Sequence, residues 1–311
     1  MDVNTIYNFE ASKGLKGVPS NSLNICVTSP PYYGLRDYGS SKQIGLEKTP
    51  EEYIEKLVNV FHEVKRTLKE DGTLWINISD SYSGSGKGAA GYIDNAMNYK
   101  QGTNRGTLGK ATLVTQCTGC KPKDLIGIPW MLAFGLRADG WYWRDTIIWN
   151  KPSCMPESVK DRTTKSHEYI LLFSKNKKYN YDYKAISEIA TSTDYSIRDR
   201  EHTKLNNTPG RTRMDGLVKN NYERRNKRSV WTVPTIPLRE AHFATYPEKL
   251  IIDCIKAGCP ENGIVLDPFM GSGTTAIVAR KLNRNYIGFE INPSYIKLSE
   301  KRIKSELGFF S

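Results

Sequence analysis

Apolar and polar positions along the chain follow two periods. Runs of five to eight residues, apolar or alternating, read as strands: "TIYNF", "LNICVTSP", "TLWINIS", "WRDTIIWN", "EYILLFS", "GIVLDPF" and "YIGFEI". Between them lie segments whose apolar residues recur three and four positions apart. The best marked covers 50–69, where Ile54, Leu57, Val58, Phe61, Val64 and Leu68 form one stripe and Glu, Lys and Arg the other. Thr49 with Glu52 makes a capping box, Pro50 suits the first helical position, and Asp71-Gly72 supplies a stop. "DLIGIPWMLAFGLRADG" reads as a further helix with a turn or restart at Pro129, and helices are also expected near 246–257, from about 274, and after Asn292-Pro293. Strands alternating with helices predict an α/β fold on a parallel, doubly wound sheet.

Two stretches break the pattern. Residues 80–121 carry seven glycines between Gly84 and Gly109 among Ser, Lys and Asn, so little core can form and a mobile, functional loop is expected. From Lys175 to about Arg239 the chain is polar and irregular, with ten Lys or Arg against four Asp or Glu between Ser196 and Ser229. The expected organisation is one α/β domain formed by 1–174 and 240–311, with an insertion at 175–239.

Charge sharpens the meaning of that insertion. The 311 residues carry a formal charge of +12, which favours a polyanionic partner, and nucleic acid comes first. Arg198, Arg200, Arg211, Arg213, Arg224, Arg225 and Lys227 are the expected phosphate contacts. The alternative is a solvated surface insertion. Six scattered cysteines do not make a secreted disulfide framework, and the lone Cys117-Thr-Gly-Cys120 lacks the second ligand pair of a zinc site, so no metal is expected. No run of about 18 apolar residues occurs, and "MDVNTIYNFE" has neither a basic nor an apolar leader region; the expectation is a cytosolic protein without a membrane span.

The candidate chemistry sits in the loops that follow two strands. Asp267-Pro268-Phe269-Met270-Gly271-Ser272-Gly273-Thr274-Thr275 lies between "GIVLDPF" and a helix, where glycines let the backbone approach a ligand. Glu290 ends the next strand, placed to accept the two hydroxyls of a ribose. This loop has neither the GxGxxG form nor the Walker lysine, which argues against dinucleotide and ATP. In "TSPPY", Thr28 to Tyr32, two prolines fix φ and remove N–H donors. The carbonyls of Ser29 and Pro30, with the Ser29 hydroxyl, can then accept from an –NH₂ group, while Tyr32 offers a flat face for a base.

"DPFMGSGTT" with "YIGFEIN" resembles the S-adenosylmethionine-binding half of the DNA amino-methyltransferases, and "TSPPY" resembles their catalytic motif. The order, catalytic half first, basic insertion next and cofactor half last, is that of the permuted beta class. The resemblance implies a Rossmann-like, seven-stranded, circularly permuted methyltransferase sheet with an inserted target-recognition region. It implies catalysis by Ser29, Pro30, Pro31 and Tyr32, and cofactor contacts from Thr28, Asp267, Pro268, Phe269, Gly271, Ser272, Gly273, Thr274 and Glu290. "IYNFEA" is similar to a strand that usually ends in Gly-Asp and touches the adenine, so Glu10 joins the set; Thr245, Tyr246 and Lys249, in "TYPEK", resemble the segment that closes over the methionine moiety.

The reaction implied is direct methyl transfer to an exocyclic amino group of double-stranded DNA after base flipping. A carbon-5 cytosine enzyme would need a Pro-Cys nucleophile, and no Pro-Cys dipeptide occurs. Ser29 before Pro-Pro-Tyr and "HFATYP" resemble the cytosine-N4 enzymes more than the adenine-N6 ones, which leaves N(4)-methylcytosine favoured and N(6)-methyladenine the alternative. RNA or protein amino-methylation usually has the two motifs in the reverse order. A non-catalytic DNA-binding module would explain the charge without needing Asp267, Glu290 and the Pro-Pro turn together. A cognate restriction endonuclease, and a monomer or homodimer, fit the class.

Overall fold

The computed structural model of the chain describes residues 1–35, 40, 42–83, 119–154, 156–190, 223–235 and 246–308. They divide into two compact units, Met1–Tyr181 with Ser229–Ser311, and Asp182–Arg228. The loop expected at 80–121 falls mostly outside the described residues.

In the first unit, the wholly buried run β2 (Leu23–Thr28) becomes the centre of an eight-stranded sheet. It lies between β3 (Leu68–Ile78) and β9 (Ile264–Asp267), parallel to both. Burial on both faces is what a continuous apolar strand without alternation requires. Outward from β9 come β10 (Asn285–Phe289) and β1 (Thr5–Tyr7), also parallel. Outward from β3 come β5 (His167–Ser174), β4 (Tyr142–Asn150) and β8 (Val230–Thr232). Of the eight, β5 alone runs antiparallel, because it pairs antiparallel with both β3 and β4 while β8 is parallel to β4. The sheet is thus one strand larger than the seven expected: β8 comes from "SVWT", at the end of the stretch assigned to the insertion.

Helices cover both faces. Leu74, Ile76, Leu171, Phe173 and Leu266 point to one side, into a core shared with α1 (Ala11–Lys16), α2 (Pro50–Thr67) and α3 (Ile128–Ala138). Ile25 and Trp75, in the alternate register, meet α4 (Glu248–Gly258), where Gly258 leaves no room for a Cβ. α5 (Thr274–Lys281) and α6 (Pro293–Leu307) complete the chain.

Local signals placed most boundaries. The Thr49 hydroxyl accepts from Glu52 N at 3.2 Å and Pro50 opens α2, as expected; Asn292 caps α6 by accepting from Ser294 N. α3 starts at Ile128 with Pro129 in its first turn. One boundary differs. α2 stops at Thr67 and β3 begins at once, so Asp71-Gly72 is not a helix stop but part of a bulge in β3: β2 advances from Leu23 to Ile25 while β3 advances from Leu68 to Thr73.

The second unit, narrower than 175–239, contains the two-stranded pair β6 (Glu188–Ile189) and β7 (Arg224–Arg225). Glu188 accepts from Arg225 and Arg228 there.

Candidate active site

The chain runs from β2 through α2 to β3 in one direction across the sheet, and from β9 through α5 to β10 in the other. The seam between β2 and β9 is therefore a topological switch point, the place where open α/β sheets receive ligands at the carboxyl ends of their strands. Both motifs leave from that seam. Thr28, the last residue of β2, donates through Oγ1 to Oδ1 of Asp267, the last residue of β9, at 2.6 Å. The Pro-Pro turn and the glycine loop, remote in sequence, start side by side.

Asp267 is buried and its acceptors are occupied within the protein. Oδ1 takes Thr28 and Phe269 N (3.0 Å); Oδ2 takes Thr275 (2.5 Å) and Tyr246 (3.1 Å). Burial holds this carboxyl above the usual range, against those four donors. Those bonds tie Thr28, Tyr246, Phe269 and Thr275 to one carboxylate. Tyr246 closes the same network by bonding Thr275.

The loop itself is held from behind by a buried cation. Arg302 of α6 donates to Ser272 O at 2.7 Å, to Ser272 Oγ at 3.0 Å and to Thr274 Oγ1 at 3.2 Å. Gly273 has φ +82 and a Cβ there would run into Ser299, whereas at Gly271, φ +54, a Cβ would meet only Phe269 O, at 3.8 Å. Pro268 is buried and Phe269 packs on the core.

Glu290 follows β10 and bridges back to the loop. Its Oε2 accepts from Gly271 N at 2.9 Å and its Oε1 from Asn292 N at 2.8 Å, and the Ile291 amide adds a third backbone donor to this carboxylate. Burial pushes its carboxyl above the usual range. Glu290 N donates to Tyr7 O, which ties this corner to β1. Gly271, uncrowded where a side chain would stand, beside the buried Glu290 carboxylate fits the ribose diol of an adenosyl group. Glu10, expected at the adenine, spends its carboxylate capping α1, accepting from Ser12 N and Lys13 N. Lys249 is exposed in the first turn of α4, and Thr245 lies outside the described residues.

On the other side of the seam, Pro30 is buried, and Ser29, Pro31 and Tyr32 are half-buried. The Tyr53 hydroxyl of α2 donates to Pro31 O at 2.8 Å, and Gly45 packs on Tyr32 O. Tyr32 donates to Glu168 Oε2 at 2.6 Å, with Asn77 Oδ1 at 3.3 Å. Burial first, then the negative charge of Glu168, push the Tyr32 phenol well above its usual value, so it remains a donor. Asp80, just past β3, caps α3 by accepting from Gly127 N and Ile128 N.

Sequence reasoning did not find Glu168, Asn77, Lys151, Asp80 or Arg302. Glu168 left one trace, a charge at the head of an otherwise apolar strand; the others become visible only once β3, β4, β5 and α6 are packed. His167 bonds Tyr169 through Nε2 at 3.1 Å. Of the basic residues, Arg224 is engaged with Ser187 and Arg225 with Glu188, and Arg198, Arg200, Arg211 and Arg213 lie outside the described residues.

Comparison with known proteins identifies the family and the fold. The chain is 44% identical over 298 residues to the type II methyltransferase M.SmaI of Serratia marcescens, covering 94% of this chain and 88% of that protein. It is 42% identical over 304 residues to M.Cfr9I of Citrobacter freundii, covering 97% and 88%. Among solved structures, the PvuII DNA methyltransferase (cytosine-N4-specific) shares the fold with a TM-score of 0.62 at 16% identity, covering 97% of this chain and 90% of that one. The M1.HpyAVI complex with SAM does so with a TM-score of 0.53 at 17% identity, covering 96% and 98%. Residues 23–301, which include both motifs and seven of the eight strands of the sheet that joins them, match the N6/N4 family described as DNA methylase, and the chain belongs to that family.

Proposed function

We propose that the chain moves a methyl group from S-adenosylmethionine to the exocyclic N4 amino group of cytosine in double-stranded DNA, acting directly on a flipped base. The observation that carries this reading is the contact between Thr28 and Asp267, which starts the amino-group clamp and the cofactor loop from adjacent strand tips. Bound between Gly271 and Glu290, S-adenosylmethionine would supply an electrophilic methyl on its sulfonium centre. Glu290 accepts from the ribose hydroxyls, and the loop Pro268–Thr274 gives the close backbone approach. Ser29 and Pro30 accept the two amino hydrogens through their carbonyls. That geometry favours a pyramidal nitrogen and localises its lone pair toward the methyl group, while Tyr32 stacks on the base. The N–C bond would form as the C–S bond breaks, the electron pair staying on sulfur as S-adenosylhomocysteine leaves, and one amino proton would pass from the nitrogen to solvent.

The basic stretch 175–239, of which Asp182–Arg228 is a separate unit, supplies DNA contacts in this reading. Cytosine is favoured over adenine by Ser29 at the head of the Pro-Pro-Tyr turn. The type II relatives make a cognate restriction endonuclease the natural partner.

The test is incubation with unmodified DNA and S-adenosylmethionine, digestion to nucleosides and mass spectrometry. N(4)-methylcytosine is the expected product. Only N(6)-methyladenine would reverse the base assignment and keep the reaction; no methylated nucleoside at all would sink it. Ser29→Ala should bind S-adenosylmethionine normally and fail to transfer.

A further inference from the structure

Stacking on a base needs only the ring of Tyr32, and a phenylalanine would provide it. The hydroxyl therefore calls for its own explanation. It donates to Glu168 Oε2, which also accepts from Asn77 Nδ2 at 3.0 Å. The other oxygen of Glu168 pairs with Lys151, whose Nζ sits 4.5 Å from the centre of the Trp149 ring.

Topology explains how these groups meet. β5 is the antiparallel strand, so its first residues lie beside the carboxyl ends of β3 and β4; Glu168 faces Trp149, and the next residue, Tyr169, faces Ile78. Asn77 is next to last in β3 and Lys151 follows β4 directly. A charged pair with only 19% and 12% of its side chains exposed is a poor choice for stability, since well-packed apolar residues usually serve as well or better. Its geometric result is specific: Glu168 is fixed from two sides, and the Tyr32 ring is fixed by Glu168.

We infer that Glu168, held by Lys151 and Asn77, is a positioning residue that sets the plane of the Tyr32 ring and thereby the pose of the flipped base in the clamp. This rests on the amino-methyltransferase reading above. Glu168 acts through Tyr32 and touches neither base nor cofactor.

The test uses the full chain, unmodified genomic DNA and tritiated S-adenosylmethionine, with kcat and both KM values measured for wild type, Glu168→Ala, Tyr32→Phe and the double variant. Each single variant should lower kcat by about 10- to 100-fold, the scale of a small misplacement at a reacting centre, with KM for S-adenosylmethionine unchanged. The double variant should be no slower than the slower single one, because both changes break the same link. Multiplying effects, or a Glu168→Ala enzyme as fast as wild type, would overturn the inference. If Glu168→Ala does not fold, Glu168→Gln with Lys151→Met keeps an acceptor for the phenol without an unpaired charge. That variant should stay within about fivefold of wild type, and a collapse of its kcat at normal cofactor affinity would overturn the inference equally. A wild-type enzyme that transfers nothing would instead remove the function reading, and this inference with it.

Discussion

The hydrogen bond between Thr28 and Asp267 is the structural seam of the site, and Thr28→Val tests it with little change of shape. Thr28 is 1% exposed, so no water can take the place of its hydroxyl. After the change Oδ1 of Asp267 keeps only Phe269 N, at 3.0 Å. A hydrogen bond to a charged group contributes about 1.5–3 kcal/mol, and the expected loss is about 2 kcal/mol. For a folded unit of this size that is a fall in Tm of about 4–8 °C. The loss should depend on pH in a defined sense. Burial has already raised the folded-state pKa of Asp267 above its unfolded value, so its ionisation opposes folding, and stability is lost as pH rises through the folded pKa. Removing a donor raises that pKa further. Thermal melts at about pH 5.5 and pH 8 should therefore show the larger deficit at the higher pH, and calorimetry should show weaker S-adenosylmethionine binding. A variant that melts within about 1 °C of wild type and binds the cofactor normally would refute the argument, as would a deficit that grows toward acid pH.

Glu290→Gln should weaken S-adenosylmethionine binding by about 10- to 100-fold in calorimetry, the loss of a charge-assisted hydrogen bond. Because burial raises the folded pKa of Glu290, ionisation of this residue also opposes folding, and the variant's stability should decline less than wild type between about pH 5 and pH 8. Arg302→Met removes three hydrogen bonds to Ser272 and Thr274, so KM for S-adenosylmethionine should rise about tenfold while kcat changes little; Arg302→Lys, without the planar fork, should recover only part of it. Alanine at Arg198, Arg200, Arg211 and Arg213 together should lower the slope of log affinity against log salt by about 0.9 for each phosphate that is no longer neutralised, and an unchanged slope in DNA-binding titrations would move the DNA-binding surface elsewhere.

Some features were decided within short stretches of chain. The helix at 50–67 follows from its apolar spacing, the Thr49 cap and Pro50, and the start of α6 follows from Asn292-Pro293, because these interactions close within a few residues. The glycine loop and the Pro-Pro turn were legible for the same reason: backbone freedom and its absence are properties of Gly and Pro themselves. Their placement at strand ends came from the apolar runs before them.

Other features depend on which strands become neighbours, a matter of burial between residues hundreds of positions apart. The sequence placed "SVWT" in the insertion, yet it forms β8, because β4 still had an open edge to pair. It placed a helix stop at Asp71-Gly72, yet pairing with β2 drew Leu68 into a strand. It showed Asp267 at the head of the glycine loop but not the four internal donors that surround its carboxylate; and it passed over Glu168, which acquires Tyr32, Asn77 and Lys151 only when three strand ends meet. The amino-acid sequence by itself determined the elements and the two motifs. Only the tertiary structure decided what each buried charge would be bonded to, because the energy of a buried charge is set by its neighbours in space.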